Sequence, residues 1–371
     1  MRLPLSWLKE YLRLSAAEEK LLGVRLPEIG IEVASESSGP GGRALEAEIT
    51  ANRGDLLSVY GMAREIGASL GRRPAPPPVH PYRGPKIRGA VRIDRDCGCR
   101  RYLGARIEKV KVTRSPKDIA EKLAGAGFAV FNNIVDITNF VLAEFGQPLH
   151  AFDADKLRGA VHVRRSRAGE KISALDGKTY ELKDDLVIAD DARPVAIAGV
   201  IGGTETAVSA DTRTVFLECA WFEPSTVRRT SRKLGVATES SFRFERQVDP
   251  GGMERAFFRA IELIEKQCGG KLAGIEMVGT VPKSQASISL SAGSIERLLG
   301  VRIPSAIVTR ILTMLGCKIG FAGKERWRVS PPSYRPDLVQ TEDLIEDVAR
   351  LHGMEKIPPR RPVVRAASRR R

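Results

Sequence analysis

Three acidic side chains near the end of the chain have the spacing of a metal-binding helix face. Asp343, Glu346 and Asp347 lie at positions i, i+3 and i+4 of a segment that begins at Thr341, so a helix would present all three carboxylates on one side. Carboxylate oxygens are hard ligands that suit Mg²⁺. A solvated helix face, or acids that favour the N-terminal end of the helix dipole, explains the same residues.

A histidine and a glutamate stand in apolar surroundings elsewhere in the chain. Glu218 interrupts a strand-like apolar run, and His150 lies between Pro148 and Phe152. A buried carboxylate is costly unless it is paired, and Arg243 or Arg246 is a candidate partner. A hydrolytic site needs a positioned water and a group that orients it, which a histidine and a carboxylate can supply. The residues alone leave structural and chemical roles open.

The elements that position these residues follow from local patterns. Apolar residues at helical spacing predict a helix near Ser6, and a second helix from Leu56 to Leu70 that ends at Gly71. Residues 72–86 are proline-rich and basic, which predicts a stiff linker between residues 1–71 and the next domain.

Residues 87–279 mix strand-like runs with helices and lack the regular alternation of a parallel sheet, so we predict an α+β module. Asp176 and Gly177 predict a hairpin within it, and Met253 begins a helix that runs to Gln267. Residues 288–359 predict a small domain of helices and a hairpin, with helices from Pro304 to Leu315 and from Thr341 to Leu351. Residues 360–371 form a basic tail.

Composition narrows the classes of function. The net charge of +15 is compatible with an acidic partner such as RNA, although diffuse arginine enrichment gives the same number. The chain contains no apolar run long enough to span a membrane and no GxxxxGK[ST] phosphate loop. The five cysteines are an odd number with irregular spacing, which favours a reducing, cytoplasmic location over a disulfide framework.

Four long strings occur in an order that is specific to one family. They are LSWLKEYL; ITANRGDLLSVYGMAREIGASLG; NNIVDITNFVLAEFGQPLHAFDADKL followed by AIAGVIGGTETAVS, VFLECAWFEP and TESSFRFERQVDP; and SYRPDLVQTEDLIEDVARLHGMEKIP. Together they resemble the beta subunit of bacterial-type phenylalanine–tRNA ligase over nearly the whole chain. The resemblance implies a multidomain α+β fold with an N-terminal helical and stranded segment, a tRNA-editing module at 87–279 and a winged-helix-like domain at 288–359.

The resemblance also implies site residues and roles. His150 would orient the 3′-terminal adenosine or a water, and Glu218 would recognise the hydroxyl group of a mischarged tyrosine. The implied lining residues are Thr138, Asn139, Gly202, Gly203, Thr238 and Ser240. The implied Mg²⁺ ligands are Asp337, Asp343, Glu346 and Asp347. Three residues depart from the family pattern beside the pocket: Ser240, Phe242 and Gln247.

The chain also departs from the family in its extent. Residues 38–42 lead directly into the next segment that resembles the family. The family usually has an inserted oligonucleotide-binding fold at this place, so we expect that this insert is absent. The chain ends at Arg371, before the family's synthetase-like and anticodon-binding domains. We therefore expect a short natural form, a split gene product or a fragment that does not synthesise Phe-tRNA alone.

Three functions are consistent with these patterns. The first is a ligase beta subunit, whose partners are tRNA(Phe) and an alpha subunit that uses ATP and Mg²⁺. The second is a free-standing hydrolase of mischarged tRNA, and the third is a non-catalytic RNA-binding paralogue. The hydrolytic hypothesis requires that His150 and Glu218 line one cavity. Side chains on opposite faces, or a cavity filled by Phe242, would contradict it.

Overall fold

A computed structural model describes residues 1–39, 42–80, 84–282 and 285–359. Its helices are α1 (Leu5–Tyr11), α2 (Ala16–Glu28), α3 (Val59–Ser69), α4 (Lys117–Gly125), α5 (Asn133–Phe145), α6 (Pro224–Leu234), α7 (Glu239–Phe244), α8 (Met253–Cys268), α9 (Ala292–Leu299), α10 (Ser305–Met314) and α11 (Thr341–His352). Short 3₁₀ helices cover Gly54–Leu56 and Met354–Lys356. The basic tail predicted at residues 360–371 lies outside the described residues.

The strands form five sheets in the described parts of the chain. They are β1 (Arg2–Pro4), β2 (Glu32–Gly39), β3 (Gly42–Glu48), β4 (Val91–Ile93), β5 (Cys99–Glu108), β6 (Leu149–Asp153), β7 (Val161–Arg165), β8 (Lys171–Ser173), β9 (Thr179–Glu181), β10 (Leu186–Ala189), β11 (Pro194–Ile197), β12 (Ile201–Gly202), β13 (Thr214–Phe222), β14 (Lys271–Gly279), β15 (Ile288–Ser291), β16 (Lys318–Phe321) and β17 (Arg326–Ser330). The mixed α+β class predicted from the sequence is confirmed.

The N-terminal segment owes its helices to local capping. Ser15 and Glu18 form a reciprocal capping box at the start of α2, a helix that the sequence analysis missed. The predicted helix at Leu56 begins three residues later, because the Ser58 hydroxyl accepts from the Gly61 amide and makes Ser58 the N-cap of α3. Strands β2 and β3 pair directly from Gly39 and Gly42 outward, so only residues 40 and 41 separate them.

Two sheets form the centre of the molecule. One has the order β14-β5-β13-β6 and the other β12-β11-β10-β7-β4; every pairing is antiparallel except that of β4 with β7. Strand β13 is buried along all nine residues, as expected for an inner strand covered on both faces. The hairpin predicted at Asp176 and Gly177 joins β8 to β9.

The two faces of the four-stranded sheet have different neighbours. The Cys219 thiol lies 3.6 Å from the Met253 carbonyl oxygen, which places α8 on one face, and α5 packs against α8. Side chains alternate along a strand, so Glu218 projects from the opposite face. Glu276, on that same face, accepts hydrogen bonds from the amides of residues 89, 90 and 91 at 2.9, 2.7 and 2.9 Å, which ties β14 to the chain leading into β4.

The N-terminal segment and the central module share one hydrophobic core. Trp7 of α1 stacks on Phe140 of α5 with ring centroids 4.7 Å apart, and the Tyr11 hydroxyl donates to the buried Glu144 carboxylate. Buried residues from Leu3 to Ile66 and from Val91 to Ile275 belong to the same cluster. The linker prediction at residues 72–86 therefore does not mark a division between two cores.

The C-terminal region has a second core. Strands β15, β17 and β16 form a three-stranded sheet in that order, and α9, α10 and α11 pack with it around Trp327 and Leu312. The Trp327 indole donates to the Thr309 hydroxyl at 3.0 Å, which satisfies its buried N–H. The predicted helices at Pro304–Leu315 and Thr341–Leu351 are α10 and α11. Among the described residues, no helix has the length and apolar character needed to cross a bilayer.

Candidate functional site

His150 and Glu218 lie directly opposite each other on neighbouring antiparallel strands. The register of β6 and β13 pairs Glu218 with His150, and β5 places Gly104 on the other side of Glu218. Cβ atoms of directly opposed residues are about 5 Å apart and point to the same face of the sheet. The two side chains therefore do not lie on opposite faces of the sheet, which is the arrangement that would contradict the hydrolytic hypothesis.

The Glu218 carboxyl is buried without a charged partner. The residue is 5% exposed, and its Oε2 atom has no hydrogen-bond partner in the described structure. Burial raises the pKa of Glu218 to about 8, so the group is largely protonated at neutral pH and can donate as well as accept a hydrogen bond.

The two arginines considered as structural partners of Glu218 bind elsewhere. Arg243 donates to the Leu57 carbonyl oxygen at 3.0 Å and to the Glu239 carboxylate. Arg246 pairs with the neighbouring Glu245. The described contacts therefore do not support a structural ion pair as the reason for the glutamate.

His150 is held as a neutral imidazole. Burial lowers its pKa to about 4, and its Nε2 atom is buried without a partner in the described structure. The ring packs edge-on against Phe152 at 4.4 Å between centroids. A Cβ atom at Gly202 would lie 2.5 Å from the His150 Cε1 atom, so only glycine leaves the ring in this position.

Two further side chains have buried polar atoms without an ordinary hydrogen bond in the described structure. Tyr102 lies opposite Ala220, two residues along β13 from Glu218 and on the same face, and its hydroxyl is close enough to act on the pKa of the Glu218 carboxyl. Burial, and next the nearby Glu218 carboxylate, raise the pKa of Tyr102. Gln147 donates to the Ala220 carbonyl oxygen at 3.1 Å, and its Oε1 atom has no partner.

Tyr102 and Gln147 are not among the site residues predicted from the sequence. Gln147 stands in the quoted string QPLHAFD, and Tyr102 alternates with Gly104 along β5. Tyr102, His150 and Glu218 project from the same face of adjoining strands, and each has a buried polar atom without an ordinary partner. Such a group indicates a place for water or for a polar ligand.

Thr238 and Ser240 support the loop that brings Gly202 to His150. Thr238 caps α7 and donates to the Val200 carbonyl oxygen at 2.8 Å, and Ser240 donates to the Gly199 carbonyl oxygen at 3.2 Å. Ser240, one of the three departures from the family pattern, is thereby occupied with a backbone group.

The remaining lining residues lie farther from the pair. A Cβ atom at Gly203 would lie 2.7 Å from the Val195 carbonyl oxygen, so this glycine permits close packing on β11. Thr138 and Asn139 lie in α5, where the Thr138 hydroxyl donates to the Val135 carbonyl oxygen at 2.6 Å. No described hydrogen bond joins either residue to His150 or Glu218.

Phe242 lies outside the cluster. Its side chain is 39% exposed, and the Arg246 guanidinium lies 3.5 Å from the ring centroid. It lines a separate cavity of about 720 Å³ together with Thr238 and Arg243. None of the contacts described for Phe242 places it between His150 and Glu218.

The four predicted magnesium ligands have different partners in the described structure, and their role as metal ligands stays a prediction. Arg335 binds Asp337 through Nη2 at 2.8 Å and Asp347 through Nη1 at 2.8 Å, and Arg350 binds Asp347 at 2.6 Å. Asp343 accepts from the amides of residues 339 and 340 at the start of α11, and Glu346 is exposed. Over the residues described, no group of three or more His, Cys, Asp and Glu side chains is placed to hold a metal ion.

Arginines compensate two of these acids. The guanidinium groups of Arg335 and Arg350 pair with Asp337 and Asp347, which reduces the negative charge that these carboxylates offer to a cation. Arg350 also binds Glu65 of α3, which accepts from Arg53 at 2.7 Å. Burial acts to raise the pKa of Glu65, but Arg350 and Arg53 outweigh it and lower the pKa to about 2. Glu65, Asp337 and Asp347 thus belong to a buried ionic network that joins the C-terminal core to the N-terminal segment.

Family models match two regions of the chain. A B3/4 domain matches residues 98–269 and a tRNA synthetase B5 domain matches residues 288–354. Both lie inside the module limits predicted at 87–279 and 288–359.

Curated relatives match most of the chain. The phenylalanine–tRNA ligase beta subunit of Carboxydothermus hydrogenoformans is 43% identical over 86% of this chain and 40% of its own length. That of Shewanella oneidensis is 41% identical over 86% and 41%, and that of Rhodopirellula baltica is 37% identical over 98% and 54%. The chain thus spans between about two-fifths and just over half of the length of these relatives.

A solved structure has the same fold. An N-terminal fragment of the phenylalanyl-tRNA synthetase beta subunit from Pyrococcus horikoshii aligns with 95% of this chain and 99% of its own, with a TM-score of 0.53 and 17% identity. At this identity the match concerns the fold alone.

Proposed function

This chain belongs to the family of phenylalanine–tRNA ligase beta subunits, and from that premise we propose that its central module hydrolyses tRNA(Phe) that is mischarged with tyrosine. The observation that carries the proposal is the pairing of His150 with Glu218 across β6 and β13, with Tyr102 on the same face and an unpaired buried polar atom on each of the three. The curated names belong to longer proteins, so activity, substrate and partners are all proposed for this chain.

The cluster supports a preference for tyrosine over phenylalanine. Glu218 is largely protonated and lies among the buried rings of Phe152 and Phe216. A phenol hydroxyl can satisfy its carboxyl, whereas a phenylalanine ring would leave the same atoms unpaired. A site built to hydrogen-bond a hydroxyl rejects the analogue that lacks it by as much as about 10⁴-fold to 10⁵-fold.

His150 acts in this proposal by position and not as a strong base. Its pKa of about 4 makes it a weak proton acceptor at neutral pH, but its unpaired Nε2 atom can accept a hydrogen bond from a water or from a ribose hydroxyl. Water adds to the carbonyl carbon and the ester C–O bond breaks. One proton of the water goes to the ribose oxygen, and the second is lost when the carboxyl group of the released amino acid ionises.

The loop that carries Gly202 would form one wall of the site. Thr238 and Ser240 anchor that loop through its carbonyl oxygens, so we assign them a supporting role and not direct chemistry. Gly203, Thr138 and Asn139 remain proposed lining residues. We assign no Mg²⁺ to Asp337, Asp343, Glu346 or Asp347, because arginines and backbone amides occupy three of the four.

Release assays with the purified chain test the proposal. We expect tyrosine to be released from Tyr-tRNA(Phe) much faster than phenylalanine from Phe-tRNA(Phe). E218L removes both hydrogen-bonding atoms of the carboxyl and should lose most of the selectivity, and H150A should slow release by about tenfold to a hundredfold, because a positioned water is lost. Arg255→Ala on the exposed face of α8 serves as a control that should leave both rates unchanged. tRNA binding without tyrosine release would favour the non-catalytic alternative.

The names of the relatives also lead us to propose an assembly role. In a complete ligase, an alpha subunit would activate phenylalanine with ATP and Mg²⁺, and this chain would contribute the clearance of errors. Co-expression with an alpha subunit tests this role. Co-purification and restored aminoacylation would support it, whereas release of tyrosine by a chain that never associates would favour a free-standing hydrolase.

A further inference from the structure

An open groove lined by arginines begins where the central strand ends. Its volume is about 500 Å³, and it lies between the end of β13, the helix α6 and the segment after α7. Its lining residues are Trp221, Glu223, Pro224, Ser225, Arg228, Arg229, Arg232, Glu245 and Gln247. We propose that this groove binds the phosphate backbone of RNA next to the 3′ end that enters the hydrolytic site; the inference rests on the proposed function.

The three arginines are free to meet an anion. Arg228, Arg229 and Arg232 are exposed on α6, whose opposite face is buried through Thr226, Val227, Thr230 and Ser231. Among the ion pairs of the described residues, none engages these arginines, whereas Lys233 on the same helix binds Asp185 at 2.7 Å. Arginine suits phosphate because its planar fork donates two hydrogen bonds at once.

The carboxylates of the groove do not cancel this charge. Glu245 is paired with Arg246, so its charge is already compensated. Glu223 stands beside the first turn of α6, and the three arginines outnumber it. The groove therefore has a net positive charge, and a polyanion is the partner whose charge it complements.

Gln247 adds a neutral hydrogen-bonding group to the groove. Its side chain is exposed and lines the groove, and an amide can hydrogen-bond a phosphate or a ribose hydroxyl. Its φ angle is +68°, in the left-handed region where glycine is favoured and a glutamine is strained.

Helix α6 connects the groove to the loop that carries Gly202. Trp221 lies three residues beyond Glu218 on β13, about 10 Å at the rise of a strand, and its side chain projects from the opposite face of the sheet. Val227 of α6 meets Gly199 of that loop, so the groove helix packs against the chain beside His150. An acidic protein surface is the competing partner, and RNA is favoured because the same module is proposed to act on the end of a tRNA.

Fluorescence anisotropy with labelled, uncharged tRNA(Phe) tests the groove separately from the chemistry. R228A/R232A should weaken binding at least tenfold and should reduce the slope of log K against log salt by about 1.4, because two single-strand phosphate contacts are lost. R255A/K266A removes the same charge from exposed positions of α8 and should change both quantities little. Q247G should weaken binding a few-fold and raise Tm, since strain is relieved.

Each outcome decides the proposal. Equal losses in the two double variants would mean that only net charge matters and would overturn it, as would binding that R228A/R232A leaves unchanged. Unchanged binding by Q247G would remove Gln247 from the site. Wild-type chain that binds tRNA through the arginines but releases no tyrosine would retain the groove and reject the hydrolytic function.

Discussion

Two clusters of buried polar groups in this protein have opposite hydrogen-bonding states. In the network around Asp347, guanidinium groups of Arg335 and Arg350 meet carboxylates at hydrogen-bond distance. In the cluster around Glu218, the Oε2 atom has no described partner, and neither does the Nε2 atom of His150. Both contain acids that sequence inspection regards as candidate site residues.

The difference shows that paired and unpaired buried acids can be distinguished by the direction in which their pKa is shifted. Arginines lower the pKa of Glu65 to about 2, whereas burial raises that of Glu218 to about 8. The first acid stays ionised and contributes to joining two parts of the fold. The second is destabilising without a ligand, and a protein retains such a group where a ligand can satisfy it.

The largest expected effect is on stability when the paired network is broken. Asp347→Asn leaves Arg335 and Arg350 with one fewer buried counter-charge and should lower the free energy of unfolding by about 3–5 kcal/mol. Urea titration followed by circular dichroism measures the change. Glu346→Gln, one residue away and exposed, should stay within about 0.5 kcal/mol. A similar small loss in both variants would contradict the importance of the network.

A smaller effect is expected when the unpaired cluster is distorted. Gly202→Ala places a methyl group against the His150 ring and should reduce the rate of tyrosine release by about tenfold to a hundredfold, since a small misplacement has this effect. Gly293→Ala, where a Cβ atom meets nothing closer than 4.0 Å, should leave the rate unchanged. An unaltered rate in Gly202→Ala would argue against a role for the ring position.

The pH dependence of stability separates the clusters further. The folded pKa of Glu218 is raised, so the native state binds the additional proton and this group's contribution to stability falls as pH rises from about 4.5 to 8. Glu218→Gln removes that fall. The variant should therefore gain stability relative to the wild type between pH 5 and pH 8, by an amount on the order of 1–3 kcal/mol. Denaturant titrations of both proteins at pH 5 and pH 8 measure their free energies of unfolding. A difference between the two proteins that is the same at both pH values would contradict the raised pKa.

The smallest expected effect concerns magnesium. Because Arg335 and Arg350 already neutralise the acids near α11, adding MgCl₂ should not raise Tm above the value found with NaCl at equal ionic strength. EDTA should likewise leave Tm unchanged. Differential scanning fluorimetry of the wild type and Asp343→Asn provides the comparison. A rise with Mg²⁺ that Asp343→Asn abolishes would restore the metal-site interpretation.

Elements with local signals could be predicted well from the sequence. Proline, glycine and apolar spacing define α8, α10 and α11 to within about two residues. The helix α2 could have been predicted too, because Ser15 and Glu18 have capping-box spacing. Its weak apolar periodicity explains why it was missed.

The site could be predicted only in part, because its geometry depends on distant pairings. The register that sets Glu218 opposite His150 joins strands 68 residues apart, and local pattern carries no information on such pairing. The same limit applies to the partners of the predicted magnesium ligands. Arg335 is close to Asp337 in sequence, but the contact of Arg350 with Glu65 spans 285 residues.

The stacking of Trp7 on Phe140 limits how far the chain can be shortened. A protein that retained only residues 87–279 would lose the aromatic partner of Phe140. It would also lose the hydrogen bond from the Tyr11 hydroxyl to Glu144, so Glu144 would retain its contact with Arg259 at 3.2 Å. Exposed aromatic surface of this kind promotes aggregation. A minimal soluble version of the central module therefore has to retain the first helix, or replace the apolar residues that this helix covers.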